Sequence, residues 1–243
     1  MNKFIKIVDH IINFVTYLTI ILLITIGLYA IYDIYYIDYA SVIPSEIEKL
    51  KPQIEEKKDY SFEELRKINN DIVGWITVDD TVINYPILYG NNNSVYLRRN
   101  YKKEYSVAGS IFLDYRNARD FSNDYSVIYG HNMSTGSMFA TIKNYASKDF
   151  FDTHKYGMFY TVDKAYKMEI LAYAVDNAYS YNIYNILKYK NDANSIFSYI
   201  KKMALIKENM ETYNGEKLLL LSTCHSSGSN DRKLLLTKLV EIE

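Results

Sequence analysis

The chain has one cysteine, Cys224, in 243 residues. No intramolecular disulfide can form, and an unpaired cysteine in an exported protein is either buried or a reactive thiol. An excess of charge is also missing: 28 basic residues face 29 acidic ones, net −1. Without residues 1–32 the balance is 26 to 28, net −2. Neither value offers an electrostatic footprint for nucleic acid. The sequence holds no phosphate-binding loop, no internal repeat and no low-complexity linker. Cys224, His131, His154 and His225 lack the close paired spacing of zinc motifs, so neither metal nor cofactor is expected.

A further absence is informative. Ile11 to Tyr32 contains no charged residue over 22 positions. A helix crossing about 30 Å of hydrocarbon needs roughly 20 apolar residues. Lys3 and Lys6 precede the span, while Asp33 and Asp38 follow it. The basic flank predicts a cytoplasmic N-terminus with the C-terminal bulk outside. Tyr29, Tyr32, Tyr35 and Tyr36 suit the outer interface. The rival reading is a cleaved signal peptide, whose apolar core is normally shorter and ends in small residues. Leu28-Tyr29-Ala30-Ile31-Tyr32 offers no such site.

What is abundant is apolar and aromatic: 49% of residues are hydrophobic and 26 are tyrosines, enough to fill a core of domain size. Pro44 to Asp59 is charged and punctuated by proline, and reads as a stalk with a short helix at Ser45 to Lys51. Ser61-Phe62-Glu63-Glu64 is a capping box, with Tyr60 and Leu65 as its hydrophobic staple. Eight strand-like segments follow: Gly74 to Val78, Val82 to Leu88, Gly109 to Leu113, Tyr125 to Tyr129, Met158 to Val162, Tyr166 to Val175, Leu218 to Thr223 and Leu234 to Ile242. They predict a closed barrel or a sandwich. Ile196, Phe197, Ile200, Met203 and Ala204 predict one helix within Asp192 to Glu208.

Cys224 ends one apolar run and Arg232 opens the next; His131 follows a third strand-like segment. A thiol attacks a carbonyl as thiolate, and a free cysteine, with a pKa of about 8.5, needs a favourable environment to ionise. Histidine is the usual proton partner, and the oxyanion of the intermediate needs donors aimed at it. Arg232 can supply a permanent charge on a forked donor.

At these residues the sequence resembles a class B sortase. Leu221-Ser222-Thr223-Cys224 with Arg232 downstream, Tyr129-Gly130-His131-Asn132-Met133 and Gly136-Ser137-Met138-Phe139 carry the resemblance. Gly109 to Asn117, Asp71 to Ile76 and Tyr85-Pro86-Ile87 extend it. It covers about residue 60 to the C-terminus. The resemblance implies a mainly β fold. That fold is an eight-stranded sortase-like β-barrel with N-terminal helices and a long helix between the sixth and seventh strands, preceded by one transmembrane helix. The expected layout is a cytoplasmic tail at 1–10, an anchor at 11–32, a stalk at 33–60 and the catalytic domain at 61–243.

The implied chemistry is transpeptidation. Cys224 would attack the Thr carbonyl of a C-terminal sorting signal, His131 would serve as acid and base, and Arg232 would stabilise the oxyanion. The thioester would then pass to an amino group of a peptidoglycan precursor. Asn93, Leu97, Tyr129, Ser222 and Thr223 match positions of the substrate groove. Class B relatives suggest a signal of Asn-Pro-x-Thr-x type, often on iron-acquisition proteins. Expected partners are therefore surface proteins bearing such a signal, the precursor amine and the membrane.

Two features depart from the family pattern: Leu220 replaces a common Thr, and His225 replaces an acidic residue after the nucleophile. Both bear on groove shape and substrate choice. Blander readings stand beside these roles. Cys224 could be a buried structural thiol, His131 a turn residue and Arg232 a solvent-facing strand residue. His154 reads as a side chain of a charged loop, and His225 as one pointing away from the thiol. Asp114 and Asp124 make no convincing catalytic pair. A peptidase that releases its product to water, or a silent membrane-tethered binding domain, are the alternative functions.

Overall fold

The computed structural model describes residues 2–42, 44–52, 62–223 and 230–242. The chain forms two compact units, Met1–Tyr39 and Ala40–Glu243. The first is a single helix, α1 (Asn2–Ser41), whose stretch Lys3–Ile37 has a mean hydropathy of 2.3 and is long and apolar enough to cross a membrane. No proline precedes Pro44, so nothing breaks the backbone ladder earlier. Forty residues span about 60 Å, roughly twice the hydrocarbon thickness. The helix therefore runs through both expected boundaries, 10/11 and 32/33; only composition marks the apolar part.

The second unit is a barrel. Its strands are β1 (Ile72–Val78), β2 (Asn84–Tyr89), β3 (Ile111–Leu113), β4 (Tyr125–Gly130), β5 (Tyr156–Thr161), β6 (Ala165–Asn177), β7 (Ile206–Lys207), β8 (Lys217–Thr223) and β9 (Asp231–Glu241). The order β5-β1-β2-β3-β4-β8-β9-β6 closes through a β5–β6 pairing, which makes eight barrel strands with β7 added at β6. Two pairings, β2–β3 and β4–β8, are parallel, and the others are antiparallel. The eight expected strands are these eight. β7 has no counterpart among them, since two residues carry no periodicity.

Burial explains the sequence of β8. Leu219 and Leu221 join the inner core, with Leu235 and Leu239 of β9, Ile128 and Met168. Leu218 and Leu220 point the other way, into a second cluster with Leu234 and Leu236. A strand buried on both faces reads as an unbroken apolar run. The helix α7 (Ala193–Met203) covers that outer cluster with Ile196, Phe197 and Ile200. Its N-cap is Asp192, whose carboxylate accepts from Ser195 N. It stops at Ala204, short of Glu208, because Leu205 N donates to Tyr173 O and β7 then pairs with β6. The helix lies between the sixth and seventh barrel strands, as expected. Short helices α4 (Lys148–Thr153), α5 (Tyr181–Tyr184) and α6 (Ile186–Tyr189) also occur.

Two pieces precede the barrel, α2 (Ser45–Glu48) and α3 (Glu63–Ile68). Ile47 is buried with Leu65, Phe62 and Trp75, and Asn84 Nδ2 donates to Glu48 Oε1 at 2.8 Å. Part of the expected stalk is thus docked on the barrel, because Ile47 is an apolar side chain with a pocket to fill. Tyr60 and Ser61 of the expected capping box lie outside the described residues.

Candidate active site

The parallel pair β4–β8 organises the site. Tyr129 pairs with Ser222 and Gly130 with Thr223, so both strands finish at the same end and in step. β9 runs antiparallel to β8, with Ser222 opposite Leu234, so its beginning, with Arg232, lies at that end too. Lys233 N donates to Thr223 Oγ1 at 3.0 Å and ties these ends together. Cys224 and His225 lie outside the described residues.

His131 follows β4 at a tightly packed corner. A Cβ on Gly130 would stand 2.4 Å from Ile111 Cδ1 and 2.7 Å from the Phe139 ring, so only glycine fits there without displacing the core. Phe139 N donates to His131 O at 2.9 Å. The imidazole Nε2 lies 2.7 Å from Leu97 O. A carbonyl oxygen only accepts, so Nε2 carries the hydrogen, and Nδ1 of the neutral ring holds the free lone pair. Burial lowers the pKa of the ring below 6.5; the Leu97 carbonyl opposes this, and the positive charges of Arg98 and Arg232 add to it.

Arg232 is partly buried, and its Nη1 is buried with no hydrogen-bond partner among the described residues. A buried guanidinium donor left open in this way is available to an incoming acceptor. Across β6 its register partner is Asp176, which accepts from Tyr199 Oη at 3.3 Å.

The expected groove residues divide into two sets. Ser222 and Thr223 are buried, and their hydroxyls are engaged, Ser222 Oγ with Tyr184 Oη at 2.9 Å and Thr223 Oγ1 with Lys233 N. Asn93, Leu97 and Tyr129 remain partly exposed. Tyr129 stacks on Tyr184 with ring centroids 6.1 Å apart. Burial pushes its phenol well above the ordinary value, and the neighbouring Asp114 carboxylate adds to this.

Asp114, to which the sequence alone assigns no role, is fully buried at the centre of this wall. It accepts from Tyr129 Oη at 2.9 Å, from Asn93 Nδ2 at 2.9 Å and from Arg116 Nη2 at 2.6 Å. Burial alone would raise its pKa, but the hydrogen bonds from Arg116 and Asn93 and the Arg116 charge outweigh that and hold it below the usual carboxylate range. An Asp-x-Arg spacing is too common to mark it. His154, expected in a loop, caps α4 and stacks on Phe150 at 3.7 Å. Among the described residues, no three His, Cys, Asp or Glu side chains could hold a metal ion.

This architecture has relatives. A sortase domain model matches residues 76–240. Sortase B of Listeria monocytogenes is 38% identical over 161 residues, 66% of this chain and 65% of the relative, just under two thirds of its length. Sortase B of Staphylococcus aureus is 30% identical over 184 residues, 74% of this chain and 75% of that relative. The structure of a Staphylococcus aureus sortase B–substrate complex superposes with a TM-score of 0.68 at 28% identity, over 75% of this chain and 85% of that one. The domain match covers well over half of the chain, so the chain belongs to the sortase family, whose class B members are cysteine transpeptidases.

Proposed function

We propose that this chain is a membrane-anchored transpeptidase that cleaves a C-terminal sorting signal at Thr, holds the acyl part as a thioester on Cys224 and delivers it to an amino group of a peptidoglycan precursor. The in-step ending of β4 and β8 carries the reading. Residues 131 and 224 are each the next residue along the chain from paired positions 130 and 223, and consecutive Cα atoms are about 3.8 Å apart. The positions just before Cys224 and His131 are thus paired on neighbouring strands, and Arg232 stands at the start of the adjoining strand, which supports a thiol and an imidazole working together.

In this reading Cys224 attacks as thiolate, favoured by the positive charges of Arg98 and Arg232. The open Nη1 of Arg232 donates to the oxyanion or to substrate. His131, tied at Nε2, takes the Cys224 thiol proton at Nδ1 as the thiolate forms and passes it to the leaving amine; it later removes a proton from the attacking amine and returns it to the thiol as the thioester is released. Asn93, Leu97 and Tyr129 line the groove wall, while Ser222 and Thr223 form its buried floor. Solved sortase B structures carry a substrate in one case and a triglycine in another, which supports a peptide donor and an amine acceptor here. Residues 1–10 form the cytoplasmic tail, 11–32 the anchor and 33–60 the connection to the catalytic domain at 61–243. The barrel then works outside the membrane on surface proteins carrying the signal.

The test mixes the full chain in detergent, a panel of Asn-Pro-x-Thr-x peptides and triglycine, with Cys224→Ala as control. The expected result is a ligated product that disappears in the control. Hydrolysed peptide alone would mark a peptidase, and no reaction with any peptide would mark a silent binding domain.

A further inference from the structure

The strongest unassigned feature is the buried carboxylate of Asp114. Its two oxygens receive five donors. Oδ1 takes Arg116 N at 3.0 Å and Arg116 Nε at 2.8 Å. Oδ2 takes Arg116 Nη2 at 2.6 Å, Asn93 Nδ2 at 2.9 Å and Tyr129 Oη at 2.9 Å. A carboxylate offers about four lone-pair sites and no donor. It is saturated, and every partner must point a hydrogen at it.

That requirement fixes what the two groove side chains show to the outside. Tyr129 has one hydroxyl hydrogen, and it is spent on Asp114, so only acceptor lone pairs remain on its oxygen. Asn93 accepts Tyr115 N on Oδ1 at 3.0 Å and gives one Nδ2 hydrogen to Asp114. Its second Nδ2 hydrogen has no partner among the described residues. The wall thus presents one donor and one acceptor, the complement of the C=O and N–H that a peptide offers.

We propose that Asp114 is a positioning residue: its buried carboxylate sets the hydrogen-bonding polarity of Asn93 and Tyr129 so that the groove accepts an extended peptide backbone. This rests on the transpeptidase reading above. Arg116 supplies the compensating charge, without which a fully buried carboxylate could not stay ionised. An asparagine at 114 would bring an NH₂ group into a shell of donors. Tyr129 or Asn93 would then have to turn, and the polarity would be lost.

The experiment uses the full chain in detergent with the best-cleaved peptide of the Asn-Pro-x-Thr-x panel. It compares wild type, Asp114→Asn, Tyr129→Phe and the double variant. Asp114→Asn is expected to lower kcat/KM by about tenfold or more, chiefly through KM, as loss of hydrogen bonds to a charged group would. Alkylation of Cys224 by iodoacetamide should stay within about twofold of wild type, because a small reagent does not use the groove. In the Tyr129→Phe background, Asp114→Asn should cost markedly less, since both changes remove the same acceptor. Wild-type peptide kinetics in Asp114→Asn, equal losses of cleavage and alkylation, or strictly additive losses would each overturn the proposal. If Asp114→Asn does not fold, Tyr129→Phe alone decides: an unchanged KM overturns it, and a raised KM with intact alkylation supports it. A wild type that is alkylated yet cleaves no peptide overturns the transpeptidase reading itself, and this proposal with it.

Discussion

The ring of His131 is pulled in opposite directions. Burial, Arg98 and Arg232 favour the neutral form, and the Leu97 carbonyl favours the charged one; the balance lies below 6.5. An unfolded chain holds the ring near 6.5, so it takes up the proton first as pH falls. The contribution of His131 to stability is complete above that value and is lost as pH drops through the lowered folded value. Arg98 is exposed, and its charge acts on the ring through space. Arg98→Gln should raise the His131 pKa, read from the ring proton shifts in an NMR titration, and should move the acid limb of kcat/KM up with it. An unmoved titration would mean that Arg98 does not reach the ring. Cys224, His131 and Arg232 stand out as candidates in the sequence because each lies at the edge of an apolar run within a recognisable motif. The carbonyl of Leu97 and the carboxylate of Asp114 do not, since a backbone acceptor carries no side-chain signature and a lone acid gives no sign of how many donors surround it.

At the scale of elements, β4 decides where the imidazole stands, and Gly130 decides how β4 ends. A methyl group there meets Ile111 and Phe139 inside contact distance, and both belong to the inner core. Gly130→Ala should destabilise the barrel by about 1–3 kcal/mol, the usual cost of overpacking, measured by urea denaturation. Activity should fall further than stability accounts for, because Phe139 N also holds His131 O. A variant of wild-type stability would show that the corner relaxes freely. Strands are easy to read because apolar residues alternate or run unbroken. α7 is readable from its spacing, with Asp192 as its cap. The short helices α4, α5 and α6 and the two-residue β7 are not, because four to six residues complete barely one helical turn and hold no period. α7 ends with its apolar pattern at Ala204, short of the expected bound Glu208, because a sheet edge claims Leu205 to Lys207.

At the scale of the whole molecule, charge and length point to one orientation. α1 carries Lys3 and Lys6 before its uncharged span and Asp33 after it. In the proposed orientation the basic end stays in the cytoplasm, the cheaper arrangement, and the barrel lies outside. Such a barrel must hold its site with no disulfide of its own, which agrees with a core of two large clusters and a closed sheet that exposes few strand edges. Protease added to intact protoplasts should therefore digest the barrel unit and leave a fragment of about the size of α1 with the membrane. The closed sheet resists cleavage, so the same protease dose on detergent-solubilised protein supplies the reference rate. Digestion at that rate in protoplasts supports an external barrel, whereas full protection until the membrane is opened would reverse the orientation.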